Sequence, residues 1–97
     1  MEHFPLDLLR SYAALARTGS FTRAGEEVGR SQAALSLQIQ RLEEMAGAKL
    51  IDRTSRPMRP TARGELLLNY ARQILSLSSR CMAEVRGQSL SGQLNVG

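Results

Sequence analysis

Apolar side chains recur along this chain at three- and four-residue spacing, and the rhythm breaks at glycine, serine and proline. Leu6, Leu9, Ala13 and Ala16, with Leu8, Tyr12 and Leu15 beside them, form the face of a first helix. Gly19 ends it, at a position suited to the left-handed conformation. Ser20 caps a second, short helix over Phe21, Ala24 and Val28, broken at Gly29 and Arg30. Ser31 caps a third, whose apolar face is Leu35, Ile39, Leu42 and Ala46 and whose stop is Gly47.

From residue 50 to residue 60 the helical period disappears. Residues 50–53, a turn over 54–57, and Met58 with Arg59 predict a small β-hairpin whose edge the prolines hold open. Thr61 caps the last helix, predicted to run about 25 residues and roughly 37 Å. Along it Leu67, Tyr70, Ile74, Leu77 and Cys81 repeat at alternating three- and four-residue steps, a coiled-coil-like seam that Val85 continues. Leu66, Leu68, Leu75 and Met82 widen the apolar band beyond a single seam, and a second copy of the chain is its simplest cover. The polar residues after Gly87 predict a hinge, and residues 94–97 the first residues of another strand. The expected organisation is a head over residues 1–60, a linker and dimerisation helix over 61–88, and over 89–97 a hinge leading into a further domain.

Two glycines and a leucine make the middle of the chain specific. Gly25, Gly29 and Leu35 stand at i, i+4 and i+10. A tight turn between crossing helices needs a small residue at the crossing, a residue tolerating positive φ, and an apolar residue locking the second helix. Opposite the apolar face of the third helix lie Ala33, Ser36, Leu37 and Gln40, with Gln32 in its first turn. That face carries no charge until Arg41 and Glu43. Glutamine, serine and small apolar groups suit base edges and the thymine methyl, and Ser31 at the helix start suits a phosphate.

Charge points the same way. Residues 49–63 hold Lys49, Arg53, Arg56, Arg59 and Arg63 against Asp52, which accounts for the whole net charge of +4. Arginine's planar fork fits phosphate and guanine, so the hairpin, Arg53 and Arg56 included, is placed to hold nucleic-acid backbone or minor groove. One cysteine, Cys81, excludes an intramolecular disulfide framework or a cysteine zinc site and fits a reducing cytoplasm. With His3 the lone histidine, no nucleophile, base and acid come together, so neither enzyme activity, a metal nor a cofactor is expected. No apolar run reaches the roughly 18 residues of a membrane span, so no membrane partner is expected. Glu43 and Glu44 are expected on a solvated face, Met45, Met58 and Met82 as gap-fillers, and Cys81 as a small core hydrophobe.

The runs Gly19-Ser20-Phe21-Thr22-Arg23-Ala24 and Ser31-Gln32-Ala33-Ala34-Leu35-Ser36-Leu37-Gln38-Ile39-Gln40-Arg41-Leu42-Glu43 carry a resemblance. With Gly47, Leu50, Asp52-Arg53-Thr54 and Thr61-Ala62-Arg63-Gly64 added, the chain resembles the N-terminal region of LysR-type transcriptional regulators over nearly its whole length. The resemblance implies a mainly α winged helix-turn-helix, three helices and a short β-hairpin wing, followed by a linker helix that pairs two subunits. It implies double-stranded DNA as partner, read by Gln32, Ala33, Ser36 and Leu37 and held by Arg53 of the wing. A small-molecule effector would act only through a downstream domain, whose first strand residues 94–97 resemble. The sequence departs from the family pattern at Tyr12 (usually Phe), Gly25 (in place of Ala), Ala46 (Leu) and Ile51 (Phe), read as changes of size in the core. Leu37 stands where many members carry an arginine that meets DNA. Without the resemblance, a helical dimerisation or protein-interaction module whose basic hairpin meets an acidic partner is the alternative.

Overall fold

The protein is described from a computed structural model over residues 2–87; the hinge and strand expected over 89–97 lie outside the described residues. Helix α1 spans Leu6–Thr18, α2 Phe21–Val28 and α3 Gln32–Ala46; strands β1 (Ile51–Asp52) and β2 (Arg59–Pro60) follow, then α4 over Ala62–Val85. The expected caps are in place. Ser20 Oγ accepts from Arg23 N at 3.2 Å, Ser31 Oγ from Ala34 N at 3.1 Å and Thr61 Oγ1 from Gly64 N at 3.1 Å. Each satisfies one of the amide donors that a helix start leaves without an internal partner.

Helices α1, α2 and α3 close around one core. Leu8, Leu9, Tyr12 and Leu15 from α1 meet Ala24 of α2 and Leu35, Ile39 and Leu42 of α3, all buried. Leu50 and Ile51 cover the far side, and Leu68 and Ala71 bring the first half of α4 against α1. The α2–α3 turn needs its glycines: a Cβ on Gly25 would stand 2.6 Å from Arg30 O, and Gly29 has φ 74°. The hairpin is shorter than its sequence suggests, because Ile51 pairs only with Pro60 and Asp52 only with Arg59. Pro60 has no amide hydrogen to extend that ladder.

The backbone of Leu50 is the meeting point of three helices. Tyr12 Oη donates to Leu50 O at 2.7 Å, and Thr61 N donates to the same carbonyl at 3.3 Å. On the other side, Leu50 N donates to Glu43 Oε2 at 2.9 Å. Thr61 Oγ1 adds a 2.6 Å bond to Lys49 O. A Cβ on Gly64 would overlap both Leu50 O and Tyr12 Oη, so only glycine lets α4 start this close. Burial raises the Tyr12 phenol above its ordinary range, with Glu65 and Glu43 adding to the effect, so the hydroxyl stays a donor.

Three expectations change here. Glu43 is 7% exposed, not solvated, because its carboxylate serves the Leu50 amide, with Lys49 Nζ 3.9 Å away. Met45 and Met82 are exposed, whereas Met58 does pack against the core. Tyr12 is more than a larger Phe, since its hydroxyl holds the Leu50 carbonyl.

The two halves of the Leu50 clamp differ in what their loss leaves behind. Glu43→Ala strands a buried amide and is expected to cost about 1–3 kcal/mol. Tyr12→Phe leaves the Leu50 carbonyl its Thr61 bond and is expected to cost about 0.5–1.5 kcal/mol. Urea denaturation of both variants checks the ordering; equal losses would mean that Leu50 N is solvated.

Candidate nucleic-acid interface

Helix α3 presents two faces of different chemistry. Leu35, Ile39 and Leu42 are completely buried, while Gln32, Ala33, Leu37 and Gln40 are exposed and Ser36 is half-buried. Leu37 is 66% exposed, so no packing among the described residues accounts for a leucine there. Ser31 is exposed too, its hydroxyl capping the helix that begins at Gln32. An uncharged strip of amides, a hydroxyl and methyl groups therefore runs along the outer side of α3. The opposite face holds the helix to the core. Inner anchoring extends to Gln38, whose Oε1 accepts a 2.6 Å bond from the buried Ser11.

The hairpin supplies the charge. Lys49, Arg53, Arg56 and Arg59 are all exposed. Its turn is organised by Asp52, which accepts from Thr54 Oγ1 at 2.6 Å, Thr54 N at 2.9 Å and Ser55 Oγ at 3.0 Å. These bonds, the Thr54 side chain's foremost, hold the Asp52 carboxyl below its ordinary range. Arg56 Nη1 donates back to Arg53 O at 3.3 Å. The two arginines predicted at the wing thus belong to one folded turn.

The first turn of α2 joins the uncharged strip to the basic turn. Thr22 Oγ1 lies 3.5 Å from Gln32 Oε1, and the neighbouring Phe21 ring lies under Arg53, 4.9 Å from centroid to guanidinium carbon. Sequence reasoning assigned neither residue a place at the surface; Phe21 reads simply as an apolar helix position, and a contact 32 residues apart leaves no periodic trace.

The residues predicted for dimerisation do not share the surface that packs on the head. Gly64, Leu68 and Ala71 turn inward, whereas Tyr70, Ile74, Leu77 and Cys81 are exposed along another stripe of α4. Leu67 sits between the two, packed partly against the core. With Leu66, Met82 and Val85 also exposed, α4 leaves a long apolar surface uncovered. Cys81 is a free, exposed thiol, not a core side chain. Among the described residues there is no cluster of metal-ligating side chains, and no helix is long and apolar enough to cross a membrane.

Known proteins are similar to this chain in sequence and fold. The chain is 40% identical over 92 residues to the HTH-type transcriptional regulator DgdR of Burkholderia cepacia, covering 95% of this chain and 31% of that protein. It is 42% identical over 94 residues to the HTH-type transcriptional regulator BudR of Klebsiella aerogenes, covering 95% and 66%. The chain therefore spans only part of the length of these relatives. Among solved structures, the BenM DNA-binding domain in complex with benA site 1 DNA matches with a TM-score of 0.81 at 35% identity, over 86% of this chain and 93% of that one. The CbnR DNA-binding domain in complex with DNA matches with a TM-score of 0.79 at 31% identity, over 87% and 97%. A winged helix-turn-helix with a long C-terminal helix is the fold they have in common with this chain. The model of bacterial regulatory helix-turn-helix proteins of the lysR family matches residues 6–65, and the chain belongs to that family.

Proposed function

We propose that this chain is the DNA-binding segment of a bacterial transcription regulator that binds double-stranded DNA as a homodimer in the cytoplasm. It works without catalysis and without a cofactor. The uncharged, exposed face of α3, flanked by an arginine-bearing wing, is the observation that carries this reading. Helix α3 enters the major groove, where Gln32, Ala33, Ser36, Leu37 and Gln40 face base edges and Ser31 faces a phosphate. The wing, through Arg53 and Arg56, holds the backbone or the minor groove. The BenM and CbnR domains, whose solved complexes contain DNA, support the assignment. Residues 1–60 are the DNA-binding head, 61–88 the dimerisation helix, and 89–97 lead towards a domain through which a small-molecule effector acts.

The exposed apolar stripe of α4 supports the homodimer. Contiguous apolar surface of this kind marks interaction sites in soluble proteins. Selecting bound duplexes from a random pool at rising salt tests the whole reading. A regulator returns two related half-sites about 10–10.5 base pairs apart, or a multiple of that. Loss of all enrichment once the salt suppresses non-specific binding would favour a basic module for an acidic protein instead.

Three sets of substitutions follow. Gln32→Ala and Ser36→Ala are each expected to cost about 1–3 kcal/mol on the selected site and little on random DNA. Arg53→Ala weakens both alike if it holds phosphate, and lowers only an A·T-rich flanking preference if it lies in the minor groove. Equal losses from all three on every sequence would remove α3 as the reader.

Leu37→Arg is expected to change stability by no more than about 0.5 kcal/mol, since the site is a helix surface. It raises affinity for random DNA, steepening the log-log salt dependence by about 0.9 for each protomer whose new cation meets a phosphate. On the selected site it shifts one position from thymine towards guanine. An unchanged slope and an unchanged base preference would place Leu37 away from the duplex.

Ile74→Asp would put an unpaired carboxylate into the α4 interface, at about 3–5 kcal/mol. Sedimentation should then show monomers with weakened binding to the selected site. A persistent dimer would move the interface off this stripe.

A further inference from the structure

Arg53, the wing arginine, does not extend freely from its turn. Its guanidinium carbon stands 4.9 Å from the centre of the Phe21 ring, and its carbonyl accepts from Arg56 at 3.3 Å. Among the described residues no carboxylate pairs with it, because the oxygens of the adjoining Asp52 are engaged by Thr54 and Ser55. The ring beneath it is itself fixed. Phe21 is the first residue of α2, follows the capping Ser20, and packs partly against the core.

A guanidinium is flat, and its five N–H groups point outward in its own plane. An aromatic ring engages the flat face through its quadrupole and leaves those donors free. Arg53 can therefore be held by Phe21 and still offer its edge to a phosphate or to acceptors in a groove. A side chain already ordered loses less freedom on binding than one that DNA must order.

We propose that Phe21 is a positioning residue for Arg53, holding its guanidinium against the start of α2 so that its edge is set for the duplex before DNA arrives. The inference rests on the reading of Arg53 as a DNA contact. It adds that the first turn of the helix-turn-helix and the wing bind as one coupled unit. The short reach of the stack makes the coupling testable by substitution on either side.

The test uses the 97-residue chain with the duplex selected from the random pool. Affinity across a salt series is measured for the parent, Phe21→Leu, Phe21→Tyr, Arg53→Gln and the Phe21→Leu/Arg53→Gln double variant. Arg53→Gln is expected to lower affinity about five- to tenfold at 0.1 M salt and to reduce the salt slope by about 0.9 for each protomer of the dimer whose Arg53 meets a phosphate. Phe21→Leu should lower affinity about two- to fivefold, with the slope kept because the charge remains. The double variant should be no weaker than Arg53→Gln alone, and Phe21→Tyr, which keeps the ring, should restore parental binding. In the free protein, the side-chain protons of Arg53 should show an upfield ring-current shift that Phe21→Leu abolishes. If Arg53→Gln leaves affinity unchanged, the reading of Arg53 as a contact falls, and the positioning role with it. If Arg53→Gln weakens binding but Phe21→Leu does not, the positioning role alone is wrong. Equal loss from Phe21→Leu with and without Arg53 would likewise overturn it, since the ring would then act through the packing of α2.

Discussion

The backbone of Leu50 fixes how the parts of this domain face one another. Its carbonyl takes the Tyr12 hydroxyl from α1 and the Thr61 amide at the head of α4, and its amide is held by the Glu43 carboxylate from α3. A buried amide or carbonyl without a partner is costly, so these bonds hold the strand that starts the wing in one place relative to three helices. Gly64 completes the arrangement by leaving α4 room to begin against the same carbonyl. The positions of β1 and of the start of α4 thus depend on the backbone of one residue.

That constraint bears on the interface because reading DNA demands fixed spacing between elements. Helix α3 is held by Leu35, Ile39 and Leu42 on its inner face and by the Ser11–Gln38 bond at its edge. The wing is held by the Leu50 backbone at its base, by Asp52 within its turn, and by the Phe21–Arg53 stack at its side. Preorganisation of this kind limits the ordering that binding would otherwise require. The division of chemistry is equally marked. Charge gathers on the wing and is absent from the exposed strip of α3 over residues 32–40. Attraction to phosphate is independent of sequence, whereas base edges are distinguished by hydrogen bonds and methyl contacts.

Helix α4 presents two apolar stripes with different surroundings. Leu68 and Ala71 face α1 and anchor the helix to the head, while Tyr70, Ile74 and Leu77 stay exposed. Heptad-like spacing alone does not separate these stripes, since both repeat at three and four residues. Leu67 shows the overlap: it belongs to the predicted seam and also touches the head core.

The sequence by itself determined what depends on neighbours along the chain. Helix limits followed from Ser20, Ser31, Thr61 and the terminating glycines, because capping and helical period act within a few residues. The exposed face of α3 followed as well, since fixing the inward side of a helix fixes the outward side. Only the tertiary structure decided the roles of Glu43, Tyr12, Gly64 and Phe21. Each acts on a group between 7 and 52 residues away in the sequence. A carboxylate two positions after an arginine reads as a solvated charge until the fold brings a buried amide to it. No local pattern encodes such a meeting, because it exists only once separate elements have packed and left a polar group that water can no longer reach.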